Sequence, residues 1–253
     1  MRSSIQRHAL LVFFCLTFAI FWLATPRANA LQFGLIASFT PAAVALLLSG
    51  LGGGAPALWA LVSRVGRWRV SWVWYAAALG IPLVASLAVL GASRLLGAAP
   101  LAEPAPTLRL FVIIYVLALG EELGWRGFVL PRLLAHLPAL PAALIMGGIH
   151  ALYHLPLWFA PGFPTPSYSI ASFAAASLAF GIVWTWLYLH TDGSVLIALL
   201  FHGTINAAGN LFFGGVPPAE LGWLMPIAFG LAALAVLALA RSDWVISRKW
   251  DGR

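Results

Sequence analysis

Eight apolar runs divide this chain, roughly Ala9–Ala24, Gly34–Ser49, Trp72–Ala92, Leu108–Leu130, Ala139–Phe159, Ile170–Leu189, Ser194–Phe213 and Leu221–Ala240. Runs of this length match the ~20 residues that carry a helix across the hydrocarbon of a bilayer. Lipid offers the backbone no hydrogen-bond partner, so a chain built of such runs satisfies its own amides by folding into helices. The expected fold is all-α, a polytopic membrane helical bundle of about eight transmembrane helices. Charged residues make up 8% of the 253 residues, against about 25% in soluble domains. No polar stretch exceeds a short loop, which leaves no room for a soluble domain, and residues 1–253 read as a single membrane domain.

The first run has two readings. Arg2 and Arg7, an apolar run and Ala28-Asn29-Ala30 are also the parts of a cleavable signal, which would leave seven spans. Against cleavage, the run is long for a signal and Pro26 and Arg27 crowd the cleavage position. The stretch Ala57 to Val70 mixes Arg64, Arg67 and Arg69 with Trp and Val, and is expected to lie as an interfacial amphipathic helix. With the N-terminus in the cytoplasm, eleven Lys and Arg fall on that side and only Arg27, Arg94 and Arg109 on the other. That asymmetry predicts an integral protein of the plasma membrane with both termini cytoplasmic. The net charge of +7 is spread over helix ends and makes no nucleic-acid-binding patch. The expected partners are membrane lipid and a membrane-associated protein or peptide. A lone cysteine, Cys15, excludes a disulfide framework.

Charge appears where the apolar pattern calls for lipid at Gly120-Glu121-Glu122-Leu123-Gly124-Trp125-Arg126. A charge at mid-bilayer costs roughly 2.5–3.5 kcal/mol on insertion scales, so three within six residues need a reason. Glu122 and Arg126, four apart with Glu first, are spaced to pair on one helix face. Glu121 is rotated by about 100° and lacks that match. An unmatched carboxylate inside the membrane points to a functional cavity.

Two further runs carry polar groups. His150 and His154 stand four apart in His-Ala-Leu-Tyr-His-Leu-Pro, and His202 and Asn206 four apart in His-Gly-Thr-Ile-Asn. Each taken alone has a structural reading, as an ion pair or an interhelical hydrogen bond. Together, Glu121, His154, His202 and Asn206 supply a base, two proton-handling groups and an amide donor, a set suited to activating water and holding an oxyanion. His-Glu-x-x-His, Gly-x-Ser-x-Gly and an intramembrane Asp pair are all missing from the sequence.

These motifs resemble the CPBP family of intramembrane proteases, which includes type II CAAX prenyl proteases and bacteriocin-processing proteins. Its Glu-Glu-x-x-x-Arg is matched by Glu121, Glu122 and Arg126. The histidine of its Phe-x-x-x-His is matched by His154, with His150 standing where the family usually has Phe. Its His-x-x-x-Asn is matched by His202 and Asn206. The resemblance implies peptide-bond hydrolysis by a catalytic core at 107–213, with catalytic roles at Glu121, Glu122, Arg126, His154, His202 and Asn206. In the expected mechanism Glu121 and His154 activate water while His202 and Asn206 hold the oxyanion. A second mechanism puts a divalent metal such as Zn2+ on Glu121, His154 and His202. A non-catalytic immunity or scaffold protein of the same fold, or a small proton-coupled transporter, remains as an alternative function. No inverted repeat supports the transporter.

Overall fold

The computed structural model describes residues 8–97, 107–159, 166, 168–213 and 222–240, and all its regular elements there are helical. They are α1 (Ala9–Ala24), α2 (Ala30–Val62), α3 (Trp72–Leu95), α4 (Leu108–Glu122), α5 (Leu130–Leu134), α6 (Ala139–Tyr153), α7 (Ile170–His190), α8 (Val195–Phe213) and α9 (Leu224–Leu239). Short polar side chains fix several starts. Asn29 and Gln32 exchange side-chain and backbone hydrogen bonds in a capping box at α2, and Thr107 and Ser169 cap α4 and α7. Five helical stretches among the described residues are long and apolar enough to cross a membrane: Leu31–Val62, Trp72–Leu95, Ala139–Trp158, Ile170–His190 and Val195–Phe212. Ala9–Ala24 and Leu224–Leu239 are apolar but shorter.

Two expectations change. The Ala57–Val70 stretch is helical only to Val62, in a short helix set off from the rest of α2 by a break at Gly54, whose φ of 65° lies outside the helical region. Only glycine enters that region freely, and the chain changes direction there. A turn and an irregular segment then lead to α3. The fourth apolar run is likewise not one α-helix. Seven residues, Leu123–Val129, form a π-helical segment between α4 and α5. Wide turns of this kind sit often at functional sites, because they re-aim the side chains on either side.

Small residues let the helices touch backbone to backbone. A Cβ on Gly147 or Gly181 would collide with the facing backbone where α6 crosses α7, and one on Gly120 or Gly124 would collide with Ser38 or Pro41 of α2. The run that also reads as a leader contributes rings to this core. Phe13 packs on Trp125 and Phe128, and Phe21 on Tyr153.

The bundle has two chemically distinct ends. At one, the Val195 amide bonds the Arg64 carbonyl, Ser194 Oγ donates to the Arg67 carbonyl, and Arg64 Nη1 donates to the Tyr188 hydroxyl at 2.7 Å. Arg67 Nη1 reaches the Asp192 carbonyl. Arg132 lies at the same end, its guanidinium 3.5 Å from the Phe128 ring centroid. At the other end α7 begins, α8 ends and α9 begins, with Ser172 Oγ donating to the Gly222 carbonyl.

Candidate active site

Glu121 and Glu122 close α4 just before the π-helical segment, so both side chains leave the helix inside the bundle, 7% and 0% exposed. The expected pairing is present: Arg126 Nη1 donates to Glu122 Oε1 at 2.9 Å. Arg126 Cζ also sits over the Trp184 ring of α7, 3.5 Å from its centroid. A cation–π contact and a charge-assisted hydrogen bond together hold a guanidinium that is 1% exposed.

Glu122 has a second partner. His202 Nδ1 donates to the same Oε1 at 2.8 Å, so this carboxylate ties α8 to α4 and aims the other ring nitrogen elsewhere. Gly203 makes this approach possible, since a Cβ there would run into the Tyr115 ring of α4. Tyr115 and Thr204 share a hydrogen bond at 3.0 Å alongside.

Glu121 faces the opposite way, toward His154 at the end of α6. Its Oε2 lies 3.8 Å from His154 Nε2 and is buried without a hydrogen-bond partner among the described residues. His154 Nδ1 is 2.9 Å from the His150 carbonyl oxygen. A carbonyl only accepts, so Nδ1 carries the proton and Nε2 presents a lone pair toward Glu121.

These residues share one cavity of about 290 Å3, walled by Glu121, His150, His154, Trp184, His202 and Asn206 and continuing past Tyr168, Phe173 and Met225. The four residues read as base, proton handlers and amide donor therefore converge from α4, α6 and α8. Asn206 is the exposed one of the four. The cavity runs toward the bundle end away from Arg64, Arg67 and Arg132. Tyr168, near its mouth, has its phenol pushed up to about 12 by burial and remains a neutral hydrogen-bonding group.

Among the described residues, Glu121, His150 and His154 each offer a ligand atom within 4.8 Å of one another, while His202 gives its Nδ1 to Glu122 and has Nε2 as its other ring nitrogen. Two pieces of the site escaped sequence reasoning. Trp184 as the platform under Arg126 left no signal in an apolar run rich in aromatics. His150 was visible by its spacing to His154, but not as a cavity wall.

Comparison with known proteins bears on residues 103–208, which match the family model described as type II CAAX prenyl endopeptidase Rce1-like. A curated relative, CAAX prenyl protease 2 from Methanococcus maripaludis, is 31% identical over 100 residues. That match spans 37% of this chain and 37% of the relative.

Proposed function

We propose that this chain, whose residues 103–208 match the type II CAAX prenyl endopeptidase Rce1-like family model, is a membrane-embedded endopeptidase hydrolysing a peptide bond of a membrane-associated protein or peptide. The observation that carries the reading is the opposed pair Glu121 Oε2 and His154 Nε2, 3.8 Å apart and both lone-pair donors. Two acceptors at that separation take both protons of one water and leave its oxygen lone pair free to attack. Glu121 accepts the proton as the oxygen adds to the carbonyl, and returns it to the amine nitrogen as the C–N bond breaks. No covalent intermediate is needed.

His202 and Asn206 hold the oxyanion. His202 already donates through Nδ1 to Glu122, so it donates through Nε2 as well only when it carries a second proton. In that state Glu121, Glu122, Arg126 and His202 sum to zero charge, which a buried set requires. Arg126 and Glu122 position His202 and touch no substrate. A route with a divalent metal on Glu121, His154 and His202 would take His202 through Nε2, its Nδ1 remaining on Glu122. The metal-free route uses each residue in its present orientation.

Purified protein in liposomes, given a tagged peptide library, tests the reading: cleavage at defined bonds supports it, and an untouched library refutes it. Asn206→Ala should lower kcat by about 10²–10³, the usual effect of one lost oxyanion donor. His202→Ala should fall at least as far, since it also strips Glu122 of a partner. Variants as active as wild type would remove the oxyanion role.

The substrate approaches from the non-cytoplasmic side in this reading. Arg64, Arg67 and Arg132 share the end opposite the cavity, and the positive-inside rule assigns a basic end to the cytoplasm. The substrate class is then an exported peptide or the outer juxtamembrane segment of a membrane protein. On a Cys15→Ala background, Phe159→Cys should react with an impermeant maleimide in intact cells, and Trp68→Cys only after permeabilisation. The reverse pattern would turn the mouth to the cytoplasm and favour cytoplasmic tails.

A further inference from the structure

Two buried polar atoms face this cavity without a hydrogen-bond partner among the described residues, Glu121 Oε2 and His150 Nδ1. The first serves the proposed hydrolysis and the second has no part in it. An unpartnered buried polar atom is costly, typically ~1–3 kcal/mol, and His150 stands at a position where an aromatic hydrocarbon ring would incur no such cost. It is 8% exposed and ringed by aromatics, with Phe173 at 5.9 Å and Trp184 at 5.8 Å between ring centroids. A neutral imidazole in such a box calls for a ligand.

We propose that Glu121, His150 and His154 form a binding site for one divalent transition-metal ion, with His150 as the ligand that completes it. The three donor atoms lie within 4.8 Å of one another, from the end of α4 and the C-terminal end of α6. His150 and His154 are four apart on α6, their ring centroids 4.3 Å apart and their planes at 45°, so the rings converge instead of stacking face to face. The His150 carbonyl fixes the His154 tautomer through Nδ1–H, leaving Nε2 as the ligand atom. Backbone carbonyls commonly orient metal-binding histidines in this way. Two imidazoles and a carboxylate suit Zn2+ or Co2+ over Ca2+ or Mg2+, which prefer all-oxygen shells. The cavity leaves room for a fourth ligand, the arrangement of an open three-ligand site. Zn–N and Zn–O distances of about 2.0–2.2 Å put tetrahedral donors ~3.3–3.5 Å apart, so the ion draws the side chains together by modest rotation.

The site shares Glu121 and His154 with the proposed hydrolysis, and a bound ion takes the same lone pairs that activate water. Occupied and empty protein are therefore competing states, and hydrolysis should fall as the site fills.

Titrating the purified full-length protein in detergent with Co2+ tests this directly, because the ion's visible spectrum separates tetrahedral protein ligation from the hydrated ion. One equivalent should bind with a tetrahedral spectrum and be displaced by Zn2+. His150→Phe and Glu121→Gln, checked for unchanged melting, should each weaken binding by at least ~100-fold, beyond the 10–100-fold typical of a lost outer-sphere partner. His202→Ala should bind as wild type does, since His202 is outside the set. Wild-type binding no tighter than that of His150→Phe would overturn the proposal, as would equal loss in His202→Ala. The titration uses no substrate, so failure of the protease reading would leave its result standing, and the reverse holds. Should His150→Phe not fold, Glu121→Gln and His202→Ala still decide it.

Discussion

Glu121→Gln is expected to yield a folded, membrane-inserted protein whose peptide-bond hydrolysis drops to background, a loss of about 10²–10⁴ or more. The amide keeps the size and hydrogen-bonding reach of the carboxylate but cannot accept a proton. Glu122, the neighbouring carboxylate, is held by Arg126 and His202 at 2.9 and 2.8 Å and faces away from His154. Substrate affinity should survive, because the change leaves the cavity wall intact. Single-turnover assays in liposomes, with binding measured separately, would resolve the two effects. Hydrolysis at the wild-type rate would remove Glu121 from the role of base and bring the scaffold reading forward.

Arg126→Ala is expected to damage the fold before the chemistry. It empties a site that is 1% exposed, uncovers Trp184 and leaves Glu122 buried with His202 as its one side-chain partner. Breaking one side of a buried ion pair typically costs 3–5 kcal/mol, a large share of what holds a domain together. Abundance in membranes and the melting temperature in detergent should both fall. Arg126→Lys should recover part of the loss through its charge and not all of it, since an ammonium cannot lie flat on an indole. Normal abundance and melting with activity alone lost would instead make Arg126 a substrate-binding group.

The helices were legible because membrane insertion writes them into sequence as plain apolar length. The runs expected at Ala9–Ala24, Trp72–Ala92 and Ile170–Leu189 correspond to helices Ala9–Ala24, Trp72–Leu95 and Ile170–His190. The π-helical segment was not legible. Leu123–Val129 is buried on nearly every side, so apart from Arg126 its pattern is apolar and a shift in winding leaves no trace. The break at Gly54 was legible: glycines followed by arginines read as an end and a new beginning, and the backbone at Gly54 does leave the helical region.

Within the site, local spacing revealed what lies on one helix and little of what crosses between helices. Glu122 with Arg126 followed from a separation of four. The bond from His202 to Glu122 joins α8 to α4, and no local pattern encodes it. The same gap explains why His150 was not grouped with Glu121 and His154, whose ligand-capable atoms come close only across α4 and the end of α6. Convergence of Glu121, His154, His202 and Asn206 on one cavity was the stronger expectation, since charge and amide groups inside a bilayer gather where protein replaces lipid.

The central reading, that Glu121 and His154 activate water for peptide cleavage in the membrane, meets its most direct test in living membranes. Cells carrying wild-type protein and cells carrying Glu121→Gln would be compared for new peptide termini in the membrane fraction and the medium, at matched expression. The account predicts a discrete set of termini present with wild type and missing with Glu121→Gln, with the uncut precursors accumulating in the variant. Identical termini in the two would contradict it.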